Sequence, residues 1–391
     1  MNWLRLGKRS EKVVAIADIG SGSVGLAITM LHDDAPASVL AASRGILPIE
    51  ERSSDATASG IAELLSKVGA DVTKAYAEHA GKHMRAVEDV FVIIRAPWSR
   101  SKTVCASQTF EKETVITDSM IGDLAKKALT EEKDIDTQNI LEASVVRVEL
   151  NGYPTGQPVG KRATSATVLA LVSECGTVAR TQVVGAIQKV FPHVTPQLRS
   201  STRALVTVTR EQANHPENYF VVDMGSDGAS FFAVRRGAPS EYTLVAEGVR
   251  TILKRVAPSG MPEETFSLVR MLSRDQCSAA ACEALQASIA TAEPELVRIF
   301  GEGFAKCASL RRLPNDLLLV AHPDLVSWLS TFFSRIDFAQ FTQTTQPFSV
   351  RTLSLPDLSA WVEPVSGVVP DAALALDIAL VNIENNRSRI A

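Results

Sequence analysis

Two short turns constrain this chain more than any other feature. Asp18-Ile19-Gly20-Ser21 recurs 205 residues later as Asp223-Met224-Gly225-Ser226. Each copy lies between two apolar runs, 13–17 and 24–30 in the first case, 219–222 and 229–234 in the second. β-branched and aromatic runs either side of a Gly/Ser turn predict strand–turn–strand units. A single Asp-x-Gly-Ser is common in hairpins. Two copies in one context, in halves of similar size, predict an internal duplication.

Such a pair has a specific chemistry. Glycine lets the backbone approach an anion closely, successive N–H groups can point at it, and the serine hydroxyl adds a donor. A carboxylate beside a polyphosphate is tolerable when hydrated Mg²⁺ lies between them. The turn residues Asp18, Gly20, Ser21, Gly22 and Ser23, with Asp223, Gly225, Ser226, Asp227 and Gly228, are therefore the candidate phosphate grip, and Asp18 and Asp223 the candidate Mg²⁺ ligands through water. The plainer alternative is two hairpins whose Asp and Ser side chains cap their own turns. The other phosphate loop is absent, because Gly160-Lys161-Arg162-Ala163 lacks the Ser/Thr and the glycine spacing of that motif.

Composition narrows the partners. The 391 residues carry 40 Lys+Arg against 44 Asp+Glu, a formal net charge of −4, so no global field favours nucleic acid. Hydrophobic residues make up 46% and no apolar run reaches the ~18 residues of a membrane helix. Five scattered cysteines and no secretory signal read as a reduced, cytoplasmic chain. Cys277 and Cys282, five apart, lack the spacing of a zinc or thiol redox pair and read as buried apolar cysteines. His79 and His83 read as solvated helix residues.

The remaining pattern alternates helices and strands. Residues 59–84 predict a long amphipathic helix. Strands at 90–94 and 102–110, a helix capped near Thr117-Asp118, and strands at 143–150 and 166–172 form a compact unit of about ninety residues that reads as an insertion. A helix follows at 178–190, then an extended segment at 204–208. Residues 249–311 are mainly helical, 316–320 is a buried-type strand, and 370–383 is a late helix.

Two Asp-x-Gly hairpins in duplicated α/β halves resemble the actin-like ATPase fold, with ribonuclease-H-like halves. Within that group, the run from Glu113 through Ile116-Thr117-Asp118 to Ala128, followed by a strand and the stretch Asn151-Gly152 to Pro158-Val159-Gly160, resembles the inserted subdomain of the bacterial cell-division protein FtsA. The type IV pilus assembly protein PilM is related and has a comparable insertion. The resemblance implies a first domain at about 1–83, 176–205 and 365–391, an FtsA-type insertion at 84–175, and a second domain at 206–364 with a helical lobe at 246–312.

It also implies ATP and Mg²⁺ in the interdomain cleft, self-association into filaments, and a link between an FtsZ-like tubulin homologue and the inner face of the cell membrane. An adaptor of the PilM type, whose insertion and first domain hold a peptide from a membrane pilus protein, is the alternative. A scaffold that no longer hydrolyses ATP is another. A metabolic phosphotransferase on this fold would need a carboxylate base and a sugar pocket, which the small insertion does not suggest. A water-orienting glutamine is expected on the helix from Val178, where Gln182 and Gln188 stand. The family has a Lys where this chain has Ser23, and a Gly-Gly pair where it has Ala321-His322. A Cβ and an imidazole there crowd an adenine unless His322 stacks on it. The family's Glu and Lys on the helical lobe, which approach the nucleoside, correspond here to Glu263 or Glu264 with Ser267, and the Lys is missing. The family's C-terminal amphipathic helix has no counterpart in the last ten residues. Residues 1–12, with Trp3, two leucines and several cations, read equally as a candidate interfacial anchor or as a solubilising tail.

Overall fold

The computed structural model describes residues 11–257, 261–274, 276–277 and 279–387. The candidate anchor before Glu11 and the extreme C-terminus lie outside the described residues. The chain opens with a meander, β1 (Lys12–Ile19), β2 (Ser23–Leu31) and β3 (Ala37–Ile46), then α1 (Ser54–Ala80) and β4 (Asp89–Ile94). An inserted unit follows: β5 (Ser99–Val115), α2 (Asp118–Glu131), β6 (Ile140–Leu150), β7 (Tyr153–Thr155) and β8 (Arg162–Cys175). The chain returns through α3 (Thr177–Val190), β9 (Gln197–Ser200) and α4 (Ser201–Glu211). A second meander, β10 (Asn218–Met224), β11 (Ala229–Arg235) and β12 (Ala238–Val245), leads to α5 (Val249–Val256), α6 (Pro262–Leu272) and α7 (Ala279–Ala308). The rest is β13 (Asp316–Val320), α8 (Pro323–Arg335), β14 (Ser349–Thr352), β15 (Val362–Pro364) and α9 (Ala372–Arg387).

The duplication is visible in the strand order. One sheet runs β15-β3-β2-β1-β4-β9 and the other β12-β11-β10-β13-β14. In each, an antiparallel meander is extended by two parallel strands on the side of its first strand. The inserted unit has its own sheet, β5-β8-β6-β7, with α2 packed on it. Thr117 caps α2 by accepting from the Met120 N–H, as its sequence predicts.

Each large sheet has two covered faces. Because side chains alternate along a strand, Val13, Ala15, Ala17 and Ile19 face α1 and α3, while Val14 and Ile16 face the other half of the molecule. The second sheet presents Phe220 and Phe231 to a phenylalanine-rich core completed by Phe300, Phe304 and Phe333. Between the sheets lie α4 and α9.

That sandwich overturns one expectation. Residues 204–208, Ala-Leu-Val-Thr-Val, are helical within α4, not extended. Every residue from Ala204 to Thr209 is buried, so no polar face appears at helical spacing, and the β-branched composition imitates a strand. Ser200 starts this helix by accepting from the Arg203 N–H. Cys277 and Cys282 also differ from expectation. They are joined in a disulfide, the loop carrying Cys277 back beside the first turn of α7. Cys175 and Cys307 are buried thiols and Cys105 is exposed. His79 and His83 are exposed.

Candidate functional site

Asp18 has the parity of Val14 and Ile16, so its side chain leaves β1 toward the gap between the two sheets. Its neighbour on β2 is Gly25, and Gly25's neighbour on β3 is Arg44. This row explains the glycine. A Cβ at Gly25 would lie 2.7 Å from Arg44 Nη2, so the bare backbone is the floor over which Arg44 crosses β2. Arg44 Nη2 then donates to Asp18 Oδ2 at 2.5 Å, Nη1 to Ser23 Oγ at 2.9 Å, and Nε to Asp371 Oδ2 at 2.7 Å. Asp371 in turn accepts from the Ala373 and Leu374 N–H groups and so caps α9.

A second guanidinium holds the other carboxylate oxygen. Arg95 follows β4, its own N–H donating to the Ile19 carbonyl at 2.9 Å. Nε donates to Asp18 Oδ1 at 2.5 Å, Nη1 reaches Asp223 Oδ1 at 3.5 Å, and Nη2 reaches Asp377 Oδ1 at 3.4 Å and the Ala373 carbonyl at 3.3 Å. Arg95, Asp18, Asp223 and Asp377 are all buried, Asp377 completely. One arginine therefore joins β1, β10 and α9.

The carboxyls respond differently. Burial raises every one of them, but at Asp18 the charges of Arg95 and Arg44 outweigh it and hold the pKa below the ordinary value. At Asp223 burial prevails over the more distant Arg95, and at Asp377 it prevails by a wide margin, so both are raised. Both guanidiniums are held charged by these carboxylates, against their own burial.

The two predicted turns meet face to face. A Cβ at Gly22 would fall 2.4 Å from Ser226 Cβ, and the Asp227 N–H donates to Ser21 Oγ at 3.2 Å. Gly225 is pressed against the Ala96 carbonyl and its own N–H is spent on the Gly228 carbonyl. The first amides of α5 are also spent, Val249 N–H on the Gly225 carbonyl and Arg250 N–H on that of Ser226. Asp227 pairs with Arg250 at 2.5 Å. Gly20 has no comparable crowding, since a Cβ there would come no closer than 3.6 Å to the Ser23 carbonyl.

The other sequence candidates are placed elsewhere. Ala321 packs on the second core, and His322 Nδ1 accepts from the Asp324 N–H to cap α8 while its ring meets Phe266 edge-on at 4.8 Å. Burial pushes the His322 pKa down. Glu263, on α6, accepts from the Ile49 N–H. Gln182 and Gln188 stand on the exposed side of α3, whose buried residues cover the face of the first sheet opposite to Asp18. The structure thus brings the two turns together and leaves both glutamines away from them.

Four residues of this cluster escaped the sequence reading: Arg44, Arg95, Asp371 and Asp377. Their signal is a lone charge in an apolar run. Asp377 interrupts Ala372-Ala373-Leu374-Ala375-Leu376 and Ile378-Ala379-Leu380, and Arg95 ends Val90-Phe91-Val92-Ile93-Ile94. A charge in such a place must be paired.

As arranged, these residues do not fit a polyphosphate with its metal. Both Asp18 oxygens are engaged by guanidiniums, and the facing turns already touch.

A second concave feature lies between the inserted unit and the first half. It has a volume of about 280 Å³ and is lined by Ser144, Val145 and Val146 of β6, Arg199 of β9, Arg203 and Arg210 of α4, and Glu384 and Arg387 of α9. Among the described residues, β7 covers the outer edge of β6 only at Val148–Leu150, leaving the earlier edge without a strand partner. The wall is fixed by Glu142, which accepts from the Ser200 N–H and hydroxyl and from Arg203 Nη1. Arg210 Nη1 donates to the Val146 carbonyl at 3.2 Å, and Arg199 and Arg203 share Glu384.

No family model matches the chain and no curated protein matches it by sequence. Solved structures do. A chain of the PilM–PilN type IV pilus biogenesis complex is 14% identical, with 95% of this chain and 98% of that one covered at a TM-score of 0.56. The ethanolamine utilization protein EutJ from Carboxydothermus hydrogenoformans is 11% identical over 95% and 89% of the two chains, TM-score 0.45. The activator of 2-hydroxyisocaproyl-CoA dehydratase from Clostridium difficile, solved with bound ADPNP, is 10% identical over 97% of each, TM-score 0.40. At such identities the likeness concerns architecture. This chain has the actin-like ATPase fold, duplicated about a central pair of helices and carrying an inserted α+β unit.

Proposed function

We propose that this chain is an actin-fold adaptor of the PilM type, holding an extended acidic segment of a membrane-associated partner between its inserted unit and its first half. The observation that carries the reading is the groove along β6. An unpaired strand edge offers main-chain donors and acceptors to an added strand, and the lining holds four guanidiniums, of which Arg199 and Arg203 share Glu142 and Glu384 and Arg387 pairs with Glu211, a margin of positive charge that favours an acidic occupant. The FtsA-like alternative, nucleotide-timed self-assembly linking an FtsZ-like protein to the membrane, needs turns that can open around ATP·Mg²⁺. The contact between Gly22 and Ser226 speaks for the adaptor. Among the described residues no helix is long and apolar enough to cross a membrane.

The test is fluorescence anisotropy with a labelled N-terminal peptide of an inner-membrane pilus protein. Saturable binding is expected, weakened at least about tenfold by Val145→Pro, which blocks the strand edge, and by Arg387→Glu, which reverses an exposed charge. Equal affinity in both variants would remove the groove from the reading. Nucleotide-dependent co-sedimentation with a tubulin-like division protein would favour the FtsA-like role instead.

A further inference from the structure

We infer that the cleft between the two halves is clasped by this chain's own arginines, in the place where the fold would take a nucleotide's phosphates and metal. The clasp is independent of the adaptor reading, since it concerns how the halves stay closed and not what the groove holds.

Four arrangements support it. Arg95 by itself reaches a carboxylate from each half and one from the central helix pair, as no other described residue does: Asp18 on β1, Asp223 on β10 and Asp377 on α9. A guanidinium is permanently charged and presents its donors in a fixed fork, so it can hold several carboxylates together without a metal. Arg44 adds a second cation, and its route depends on the missing side chain at Gly25. The turns are already in contact, through Gly22 against Ser226 and Ser21 Oγ against the Asp227 N–H. His322, at the position that the resemblance assigns to the base, is committed to capping α8 and to Phe266.

The charges explain why both arginines are present. Asp18, Asp223, Asp371 and Asp377 are four carboxylates, and two acidic turns facing each other repel unless a cation stands between them. In a nucleotide-binding arrangement that cation is Mg²⁺, whose coordination needs free carboxylate or water oxygens around it. Here the oxygens of Asp18 are occupied by fixed cations, which would also repel an incoming metal.

Hydrogen exchange by mass spectrometry on the full chain, with calorimetry alongside, tests the clasp. In the wild type, segments 18–25 and 223–230 should be protected without nucleotide. Millimolar ATP·Mg²⁺ or ADP·Mg²⁺ should leave that protection unchanged and give no binding heat. Arg95→Gln or Arg44→Gln should speed exchange in both segments together, by about tenfold or more, while the inserted unit's strands keep their rate. Arg44 is partly exposed, so its variant serves if the Arg95 variant does not fold. Slowed exchange or micromolar binding on adding ATP·Mg²⁺ to the wild type would overturn the inference. So would unchanged exchange in both segments of a folded arginine variant.

Discussion

Asp18 and Asp223 hold the same place in two copies of one strand order, yet their surroundings have diverged. The row through Asp18 continues as Gly25 and Arg44, whereas the row through Asp223 continues as Ser230 and Leu244. On the parallel side, Asp18 pairs with Ile93 and Asp223 with Val320. Two residues further on stand Arg95 in one half and His322 in the other. The first half supplies both cations and the second supplies neither. That asymmetry lets two Asp-x-Gly-Ser turns press together: Arg95 turns inward to the opposite half, while His322 is used locally to start α8. A duplicated scaffold can therefore bind its copies to each other once one copy carries the countercharge.

The sharpest way to break this comparison is to treat the equivalent positions alike. Arg95→Leu removes the one guanidinium that Asp18, Asp223 and Asp377 share among the described residues and leaves buried carboxylates without it, a loss of about 3–5 kcal/mol in urea unfolding. His322→Ala removes one helix cap and should cost only about 1 kcal/mol. Equal losses at the two positions would mean that the halves are held symmetrically.

The contact between turns is the next lever. Gly22→Ala places a methyl group against Ser226 and should cost about 1–3 kcal/mol. Adding Ser226→Gly should return most of it, because the clash is with that side chain. Gly20→Ala, at the same turn but with room around it, should stay within about 0.5 kcal/mol. If Gly22→Ala is as mild as Gly20→Ala, the turns are not in contact in solution.

Much of this architecture was legible in the residues. The repeated Asp-x-Gly-Ser announced the duplication, the Thr117 cap announced α2, and continuous apolar runs either side of the turns announced β1, β2, β10 and β11. Other parts were not. Strand β3, which carries Arg44, and strand β12 lack a strong apolar run, because β3 starts with one half-exposed face and the middle of β12 is half-exposed on both. Helix α4 imitated a strand because burial on all sides erased its period. The turns were located correctly as a facing pair, but the partners of Asp18 were missed. Arg44 and Arg95 come from positions 26 and 77 residues further along the chain, and only the β1–β2–β3 row and the β1–β4 pairing bring them to one carboxylate. Local spacing carries no trace of that meeting.

The smallest expected effect concerns protons, and its sign differs between the carboxyls. Asp18 has a lowered pKa, so its contribution to stability is present above the unfolded value near 3.8 and is lost as pH falls through the lower folded value. Burial raises Asp377 well above 3.8, so between 3.8 and that raised value the folded chain keeps a proton the unfolded chain releases, and stability declines as pH rises. Asp377→Asn should flatten the decline above pH 3.8 in a series of urea titrations and leave the acid limb in place. Asp18→Asn should remove part of the acid limb. Because both side chains answer to Arg95, the double variant should change the profile by less than the sum of the two. Additive profiles would show that Arg95 does not couple the central helix to the turn, and the clasp would then reduce to separate pairs.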